Sequence, residues 1–423
     1  MAITKEIIRR CLRDKRDEIE AATLVERPFE FEEQGNYVMV GVRHVGKSYM
    51  LYQRVRQLLA TGHGWDEILF VDFDDERLAE FSTNDFNLLL ETHLESHGKR
   101  PYNFLDEIQN IPSWEKFARR LANEKYIVYI TGSNAKMLSK EVATTLGGRF
   151  FIVDVYPYSF KEYLSASGVS LSEGWQYSTI EKSEVVRLFN EYLIFGGLPE
   201  IKDFKQKRAL LSSLYQKIYL GDICQRNAIR NAKVLSIIIK KLAESVKQPI
   251  SFNRLKNVVV STGCQVSIPT VIDYTGFCED SWLLLPIENE LSKLADKEST
   301  KKYYFIDTGI LNLFLLDSET SLLENLVALH LCRLFGKENV SYYNAGKEID
   351  FVVADQRLAI QVSYSIKDTD TYNREVSPLF RFAEKHPDWA LLLITYDEEE
   401  TITQGSASIS VLPAWKWMCG NSL

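Results

Sequence analysis

The chain has 423 residues, more than one ordinary hydrophobic core accommodates, so we expect two to four domains. Its composition, 45% apolar, 26% charged and 12% aromatic residues, excludes a disordered chain. The six cysteines are scattered without C-x-x-C pairs, which argues against a zinc knuckle or a disulfide framework. A charged N-terminus and the lack of a long apolar run predict a cytoplasmic protein without a membrane partner.

Short apolar runs alternate with helical patterns in the first third of the chain. The runs are residues 36–40, 68–72, 102–105, 126–131 and 150–155. Strands that alternate with helices form parallel sheets with both faces covered. We therefore predict an α/β module over residues 1–155.

A glycine-framed loop follows the first of these runs. The letters GVRHVGKS at 41–48 fit G-x-x-x-x-G-K-[ST] between a strand and a helical pattern. Such a loop turns backbone N–H groups inward around phosphates, while the lysine adds charge and the serine hydroxyl binds Mg²⁺. The predicted nucleotide-binding residues are Gly41, Val42, Arg43, His44, Val45, Gly46, Lys47 and Ser48.

Polar residues at the ends of later strands complete this prediction. In LDEIQN, Asp106 is the expected second Mg²⁺ ligand, with Ser48, and Glu107 the expected base for the attacking water. In TGSN, Ser133 and Asn134 could reach the γ-phosphate or simply cap a helix. Arg149 is either an arginine finger reaching a neighbouring subunit, which would require a homo-oligomer, or a surface arginine.

The pattern turns helical after the first module. Residues 156–225 carry apolar positions at i, i+3 and i+4, which predicts a helical lid. Residues 226–300 read as three helices and a β-hairpin, the order of a winged helix, with Ser267 as the N-cap of the third helix and Pro269 in its first turn. Strands return over 301–423, which predicts a separate α/β module.

A basic segment overlaps the lid and the predicted winged helix. Residues 201–256 contain thirteen Lys and Arg against three acids, although the whole chain carries a net charge of −8. The segment is either a DNA-phosphate contact surface or a solvated face without a partner. The third helix, SIPTVIDY at 267–274, lacks side chains suited to base edges, so a protein-contacting or structural winged helix is an equal alternative.

Seven motifs together resemble a known family. GVRHVGKS, DFDDERL, LDEIQN, TGSNAKML, LGGRF, YPYSFKEYL and FGGLPE occur in the order found in bacterial and archaeal AAA-type ATPases that carry a DUF4143 C-terminal region. The resemblance implies an AAA+ core that binds ATP and Mg²⁺. It also implies a Walker A motif at 41–48, a Walker B motif at 102–107, a sensor at Ser133 and Asn134, and Arg149 at the arginine-finger position.

The last module resembles the restriction-endonuclease-like region of the same family. Asp350, with Glu324 as a further acid, would hold Mg²⁺, but the expected E-x-K reads Gln361-Val362-Ser363. A neutral Gln is a poor ligand for a hard cation, and Lys367 is too far along the chain to replace the missing lysine. We expect a degenerate nuclease fold kept for packing or for a partner.

Three functions are compatible with these features. The leading one is an ATPase that acts as a nucleotide-driven switch or motor, with ATP preferred because no [NT]-K-x-D guanine motif is present. The alternative is a DNA-binding or scaffold protein that binds ATP without significant turnover. A Mg²⁺-dependent nuclease is the third. The client, whether DNA or protein, is not specified by the sequence.

Overall fold

The structure is a computed structural model that describes residues 3–133 and 144–420. The chain divides into two compact units, Met1–Tyr156 with Asp280–Trp282, and Pro157–Glu279 with Leu283–Leu423. Among the described residues, none of the helices combines the length and apolarity needed to cross a bilayer. The finer division of the second unit into lid, winged helix and nuclease-like module stays a prediction.

The first unit is built on a parallel sheet with helices between its strands. Its strands are β1 (Asn36–Val40), β2 (Ile68–Asp72), β3 (Tyr102–Asp106), β4 (Val128–Gly132) and β5 (Phe150–Asp154). Its helices are α1 (Lys5–Ala21), α2 (Lys47–Ala60), α3 (Phe86–His97) and α4 (Trp114–Asn123). The strand order is β2-β3-β4-β1-β5, with every pair parallel. The five predicted strands and the parallel α/β core are confirmed.

The register of this sheet brings the predicted polar residues to one edge. Asp72 pairs with Asp106 across β2 and β3, and Val40, the last residue before the loop, pairs with Gly132 at the end of β4. The carboxyl ends of parallel strands meet at the same edge, where open α/β sheets bind ligands. Most apolar side chains of β1 to β4 are buried, which fixes the register of these strands, whereas Phe151 and Ile152 of β5 are exposed.

The second unit contains the remaining elements. Its helices are α5 (Phe160–Ala166), α6 (Thr179–Phe195), α7 (Lys207–Lys217), α8 (Ala232–Glu244), α9 (Phe252–Ser261), α10 (Ile268–Asp280), α11 (Leu294–Ser299), α12 (Thr308–Leu311), α13 (Glu319–Phe335), α14 (Thr369–Lys385) and α15 (Ala414–Trp417). Its strands are β6 (Ile250–Ser251), β7 (Leu284–Ile287), β8 (Thr300–Phe305), β9 (Ser341–Asn344), β10 (Glu348–Val353), β11 (Leu358–Val362), β12 (Ala390–Thr395), β13 (Glu400–Gln404) and β14 (Ala407–Pro413). A π-helical turn, Ile218–Gln225, extends α7.

Three helices and a small antiparallel sheet follow the predicted lid. The order is α8, β6, α9, α10, β7, the short helix α11 and β8, with the sheet ordered β6-β8-β7. Ser267 caps α10, since its hydroxyl accepts the Thr270 N–H at 3.2 Å. The sequence pattern had grouped β8 with the C-terminal strands, but β8 is the partner of β7, with Lys302 opposite Ile287. The hairpin therefore closes across the predicted boundary at residue 300.

The C-terminal sheet has six strands in the order β13-β14-β12-β11-β10-β9. Helix α14 connects the parallel pair β11 and β12, and its apolar face packs on the sheet through a cluster that includes Leu379, Leu393 and Val411. The sequence predicted β9 to β12 but missed β13 and β14. Strand β13 is an exposed edge of Glu, Thr and Gln, so it lacks the apolar alternation on which strand prediction depends.

The paired glycines of FGGLPE serve packing in this structure. Gly196 lies at φ 79°, and a Cβ there would meet Asp307 Oδ1 at 2.0 Å. The buried Asp307 carboxylate accepts the Gly197 N–H at 2.8 Å and the Ile310 N–H at 3.2 Å. The motif thus connects α12 to the end of α6. A Cβ at Gly197 would meet the Tyr158 carbonyl at 2.5 Å, so both positions need glycine.

Candidate nucleotide-binding site

The loop between β1 and α2 has the backbone that the sequence predicts. Gly46 lies at φ 93° as the N-cap of α2, and His44 is also left-handed at φ 61°. Gly41 is needed for packing, since a Cβ there would meet the Val155 carbonyl at 2.3 Å. The side chains of Val42 and Val45 are fully buried, so the loop can offer its backbone, and not these side chains, to a phosphate.

Lys47 opens α2 and points into the site. Its side chain is 4% exposed, and its ammonium donates to the Gly41 and Val42 carbonyls, both at 3.2 Å. The ammonium also lies 3.6 Å from Glu107 Oε1. Burial lowers the pKa of Lys47 and the nearby Arg43 adds to that effect, although Glu107 and Asp106 oppose it. Arg43 of the same loop is thus near enough to disfavour the charged form of Lys47.

Asp106 ends β3 and is buried beside two other carboxylates. Its Oδ1 accepts the Thr131 hydroxyl from β4, and the Ser48 hydroxyl also hydrogen-bonds to it. Burial, with Glu107 and Asp72 nearby, raises the pKa of Asp106 to about 7. The Ser48 hydroxyl and the buried Asp106 carboxylate, in contact with each other, form a donor set that suits Mg²⁺, because a divalent cation would favour the ionised carboxylate.

Glu107 follows in a left-handed backbone conformation, φ 50°, which is uncommon for a residue with a side chain. Its N–H donates to Thr131 Oγ1 at 2.9 Å, so Thr131 joins both acids of the motif. The Gln109 amide donates to Glu107 Oε2, while Oε1 faces Lys47. Burial alone would raise the pKa of Glu107, but Lys47 and Gln109 outweigh it and lower the pKa. Glu107 is thus held as a carboxylate.

The other predicted site residues fall in different places. Ser133 directly follows β4, is buried, and lies 3.5 Å from the Gln109 amide nitrogen beside Glu107. Asn134 lies outside the described residues. Arg149 precedes β5 and is exposed, with its Nη1 3.3 Å from the Gly147 carbonyl.

Arg149 and the loop at 41–48 lie at opposite ends of the strands. Asn36, at the start of β1, pairs with Phe150 and donates to the Arg149 carbonyl at 3.1 Å. Four steps along the extended strand separate Asn36 from Val40, which is about 13 Å. Arg149 therefore starts at the amino edge of the sheet, and the loop lies at the carboxyl edge.

Three residues that support the site were not predicted. Thr131 and Gln109 belong to the quoted motifs TGSN and LDEIQN, but only the fold shows that they touch Asp106 and Glu107. Arg27 donates to the Val45 carbonyl of the loop and to the Tyr156 carbonyl, both at 2.8 Å. No sequence pattern around Arg27 predicted these two hydrogen bonds.

The two acids predicted for a nuclease site, Glu324 and Asp350, lie close together. Their cationic partner is not in the Gln361-Val362-Ser363 segment, where the E-x-K pattern predicts it. Glu324 and Asp350 each lie 3.3 Å from the ammonium of Lys302 on β8. Gln361 donates to Glu375 at 2.7 Å, and the Ser363 hydroxyl donates to the Ser365 carbonyl at 2.9 Å. The lysine at this cluster therefore comes from outside the Q-V-S segment.

Comparison with known proteins agrees with the fold of the first unit and its loop. Residues 33–164 match the family model of an AAA domain. Residues 186–321 match a different model, a domain of unknown function called DUF8612, so the DUF4143 assignment is not confirmed. The part of the chain that contains the loop at residues 41–48 is thus similar to AAA domains, and nucleotide binding by this loop stays a prediction.

Full-length relatives place the chain in a family. It is 32% identical over 413 residues to the uncharacterized protein MJ1544 of Methanocaldococcus jannaschii, which covers 94% of this chain and 91% of that protein. An uncharacterized protein of Haemophilus influenzae is 30% identical over 342 residues, or 78% of this chain and 83% of that one. The chain belongs to the family of these proteins.

A solved structure gives a more distant likeness. The Walker-type ATPase PABY2304 of Pyrococcus abyssi has a TM-score of 0.40 at 13% identity, covering 72% of this chain and 94% of that one. At this distance the likeness supports no statement about activity.

Proposed function

We propose that the protein hydrolyses ATP with Mg²⁺ and uses the cycle as a conformational switch or motor. The observation that carries the proposal is the contact between Lys47 and Glu107 at 3.6 Å. This contact supports the proposal because the lysine that would bind phosphate and the carboxylate that would activate water are then neighbours at one buried edge of the sheet. Binding alone would need the lysine and the loop, but not an ionised Glu107 beside them.

The loop and its neighbours would hold the substrate. Backbone N–H groups of residues 41–48 would bind the phosphates, with Lys47 and Arg43 adding positive charge. Ser48 and Asp106 would hold Mg²⁺, which supplies neutralisation of the charge on the β- and γ-phosphates. The Ser48 to Asp106 contact already sets these two groups side by side.

Glu107 would act as the base for the attacking water. Both of its carboxylate oxygens are engaged, Oε1 with Lys47 and Oε2 with Gln109. A γ-phosphate beside Lys47 competes with Glu107 for the ammonium, so phosphate binding would release Oε1 to accept a water proton. The hydrogen bond from Gln109 would keep the carboxylate oriented during that exchange.

Gln109 provides a direct test of this arrangement. Gln109→Ala should lower kcat about 10-fold, the effect of losing one hydrogen bond to a charged group, and leave nucleotide affinity within about twofold of the parent. Asn110→Ala is the matched control, because Asn110 lies on the same turn but donates to the Phe73 carbonyl and to Asp74, at 3.2 and 3.3 Å. Equal losses in both variants would mean that the turn, and not the contact with Glu107, matters.

Arg149 would act only on a neighbouring copy. Arg149 lies at the amino edge of the sheet, so its side chain is too far from the loop at 41–48 of the same chain. The side chain is exposed and is therefore available to a second subunit. The trans role, and with it a homo-oligomer, is part of the proposal.

The alternative is a DNA-binding or scaffold protein with negligible turnover. Eight basic residues of the 201–256 segment are exposed: Lys205, Arg208, Lys217, Arg230, Lys233, Lys240, Lys247 and Arg254. Their charge favours contacts with phosphates. Helix α10, by contrast, exposes Pro269, Ile272 and Asp273, which do not suit base edges. Any DNA contact would therefore be independent of sequence.

Steady-state phosphate release with and without duplex DNA, at two protein concentrations and two salt concentrations, separates these functions. An ATPase that acts on DNA should release phosphate, and DNA should raise the rate more at 50 mM than at 200 mM salt. The rate per chain should rise with protein concentration, and Arg149→Ala should remove that rise. DNA binding without phosphate release would favour the alternative, and a concentration-independent rate would remove the trans role of Arg149.

A further inference from the structure

A lysine is completely buried in the second unit. Lys302 lies within β8 and its side chain is 0% exposed, which is rare for lysine. An ammonium without access to water is strongly destabilising unless fixed acceptors surround it. The contacts of this one side chain are therefore expected to affect the stability of the region strongly.

Three carboxylates surround the Lys302 ammonium. Glu348 Oε1 lies 2.7 Å away, and Glu324 Oε1 and Asp350 Oδ1 each lie 3.3 Å away. The ring of Tyr342 on β9 packs at 5.6 Å from the nitrogen. The acids come from α13 and β10, so a single side chain of β8 contacts a helix and two strands of the neighbouring sheet.

The remaining polar atoms of the cluster are also paired. The Tyr304 hydroxyl donates to Glu324 Oε1 at 2.8 Å, and Asp350 Oδ2 accepts the Val362 N–H at 3.0 Å. Burial alone would lower the pKa of Lys302, but the surrounding carboxylates raise it well above its ordinary value. Burial raises the pKa of Glu324 to about 7. The surrounding carboxylates thus favour the charged form of the lysine.

The spacing of the acids fits an ammonium. The distances of 2.7 to 3.3 Å are those of N–H···O hydrogen bonds, whereas oxygen ligands stand about 2.0 to 2.6 Å from Mg²⁺ or Ca²⁺. In the part of the chain that the structure describes, no group of three or more His, Cys, Asp or Glu residues is arranged to hold a metal ion.

We propose that Glu324, Glu348 and Asp350 form a cation-binding site whose cation is the Lys302 ammonium. The acids that a metal-dependent nuclease would use for Mg²⁺ here hold a side chain of the same protein. Lys302 in turn fastens the β7–β8 hairpin to α13 and β10. The C-terminal module is then a structural partner of the hairpin and needs no divalent cation.

A double-mutant cycle tests the proposal. Lys302→Met keeps the volume but removes the charge, and should lower the melting temperature by about 10 °C because buried carboxylates lose their cation. Asp350→Asn in the same chain should restore more than half of that loss, although Asp350→Asn alone is destabilising. Lys301→Met is the control, since Lys301 pairs with the exposed Glu288 and Glu298, and should change the melting temperature by less than about 3 °C.

Chemical rescue gives a second, independent measurement. Lys302→Ala leaves a space with the shape of propylammonium, and this ion should raise the melting temperature of that variant more than butanol does at equal concentration. The parent and Lys301→Ala should not respond. Three results would each overturn the proposal. They are a Lys302→Met variant as stable as the parent, a double variant whose loss of melting temperature is the sum of the two single losses, and equal rescue of Lys302→Ala by butanol.

Discussion

Glu107→Gln should lower ATP turnover by about 10²- to 10⁴-fold, the range for removing a general base. Nucleotide affinity should stay within about twofold of the parent. The amide keeps the shape of the carboxylate and can still hydrogen-bond, but it cannot take a proton from water. Because Glu107 is held as a carboxylate between Lys47 and Gln109, the parent has an ionised base in place. Phosphate release and equilibrium binding of a fluorescent ATP analogue measure the two quantities.

Glu124→Gln is the matched control for this change. Glu124 is an exposed acid at the end of α4, 3.7 Å from Arg120, and its loss should not affect turnover. Turnover in Glu107→Gln similar to the parent would remove Glu107 from the reaction, even if binding and folding were unchanged.

Lys47→Ala should weaken nucleotide binding by about 100-fold and abolish measurable turnover. The lysine is a buried cation that we expect to face the phosphates, and a charge-assisted hydrogen bond in such a site contributes about 1.5 to 3 kcal/mol. Its alternative acceptors, the Gly41 and Val42 carbonyls at 3.2 Å, belong to the loop itself. The side chain can therefore exchange loop contacts for phosphate contacts without moving far.

Lys116→Ala serves as the control because Lys116 is an exposed lysine on α4. It should bind nucleotide like the parent. Tight binding by Lys47→Ala would show that the nucleotide is held elsewhere, and the assignment of residues 41–48 would then be wrong.

The nucleotide-binding half of the fold could be predicted because its signals are local. Each strand of the first sheet is a continuous apolar run, and the loop and Asp106 sit at strand ends, which a parallel sheet gathers at one edge. The same rule places Arg149, which precedes its strand, at the opposite edge. Gln109 was visible in LDEIQN, but its contact with Glu107 depends on a turn with a left-handed residue, which no pattern specifies.

In the C-terminal half, the spacing of residues along the sequence did not predict which lysine contacts the acids. The E-x-K pattern predicts the nuclease lysine on the strand after Asp350, but Ser363 occupies that position. The lysine that reaches Asp350 is 48 residues earlier, on a strand that belongs to another sheet. The pairing of β8 with β7 was not predicted, because an apolar run does not reveal its pairing partner.

The nucleotide that stays bound after incubation with MgATP tests ATP hydrolysis at this site most directly. The parent, Glu107→Gln and Lys47→Ala would each be incubated, separated rapidly from free nucleotide, denatured, and assayed for ATP and ADP. Hydrolysis at this site predicts mainly ADP on the parent, intact ATP on Glu107→Gln, and little nucleotide on Lys47→Ala. Intact ATP on the parent, or ADP on Glu107→Gln in the same amount as on the parent, would contradict it.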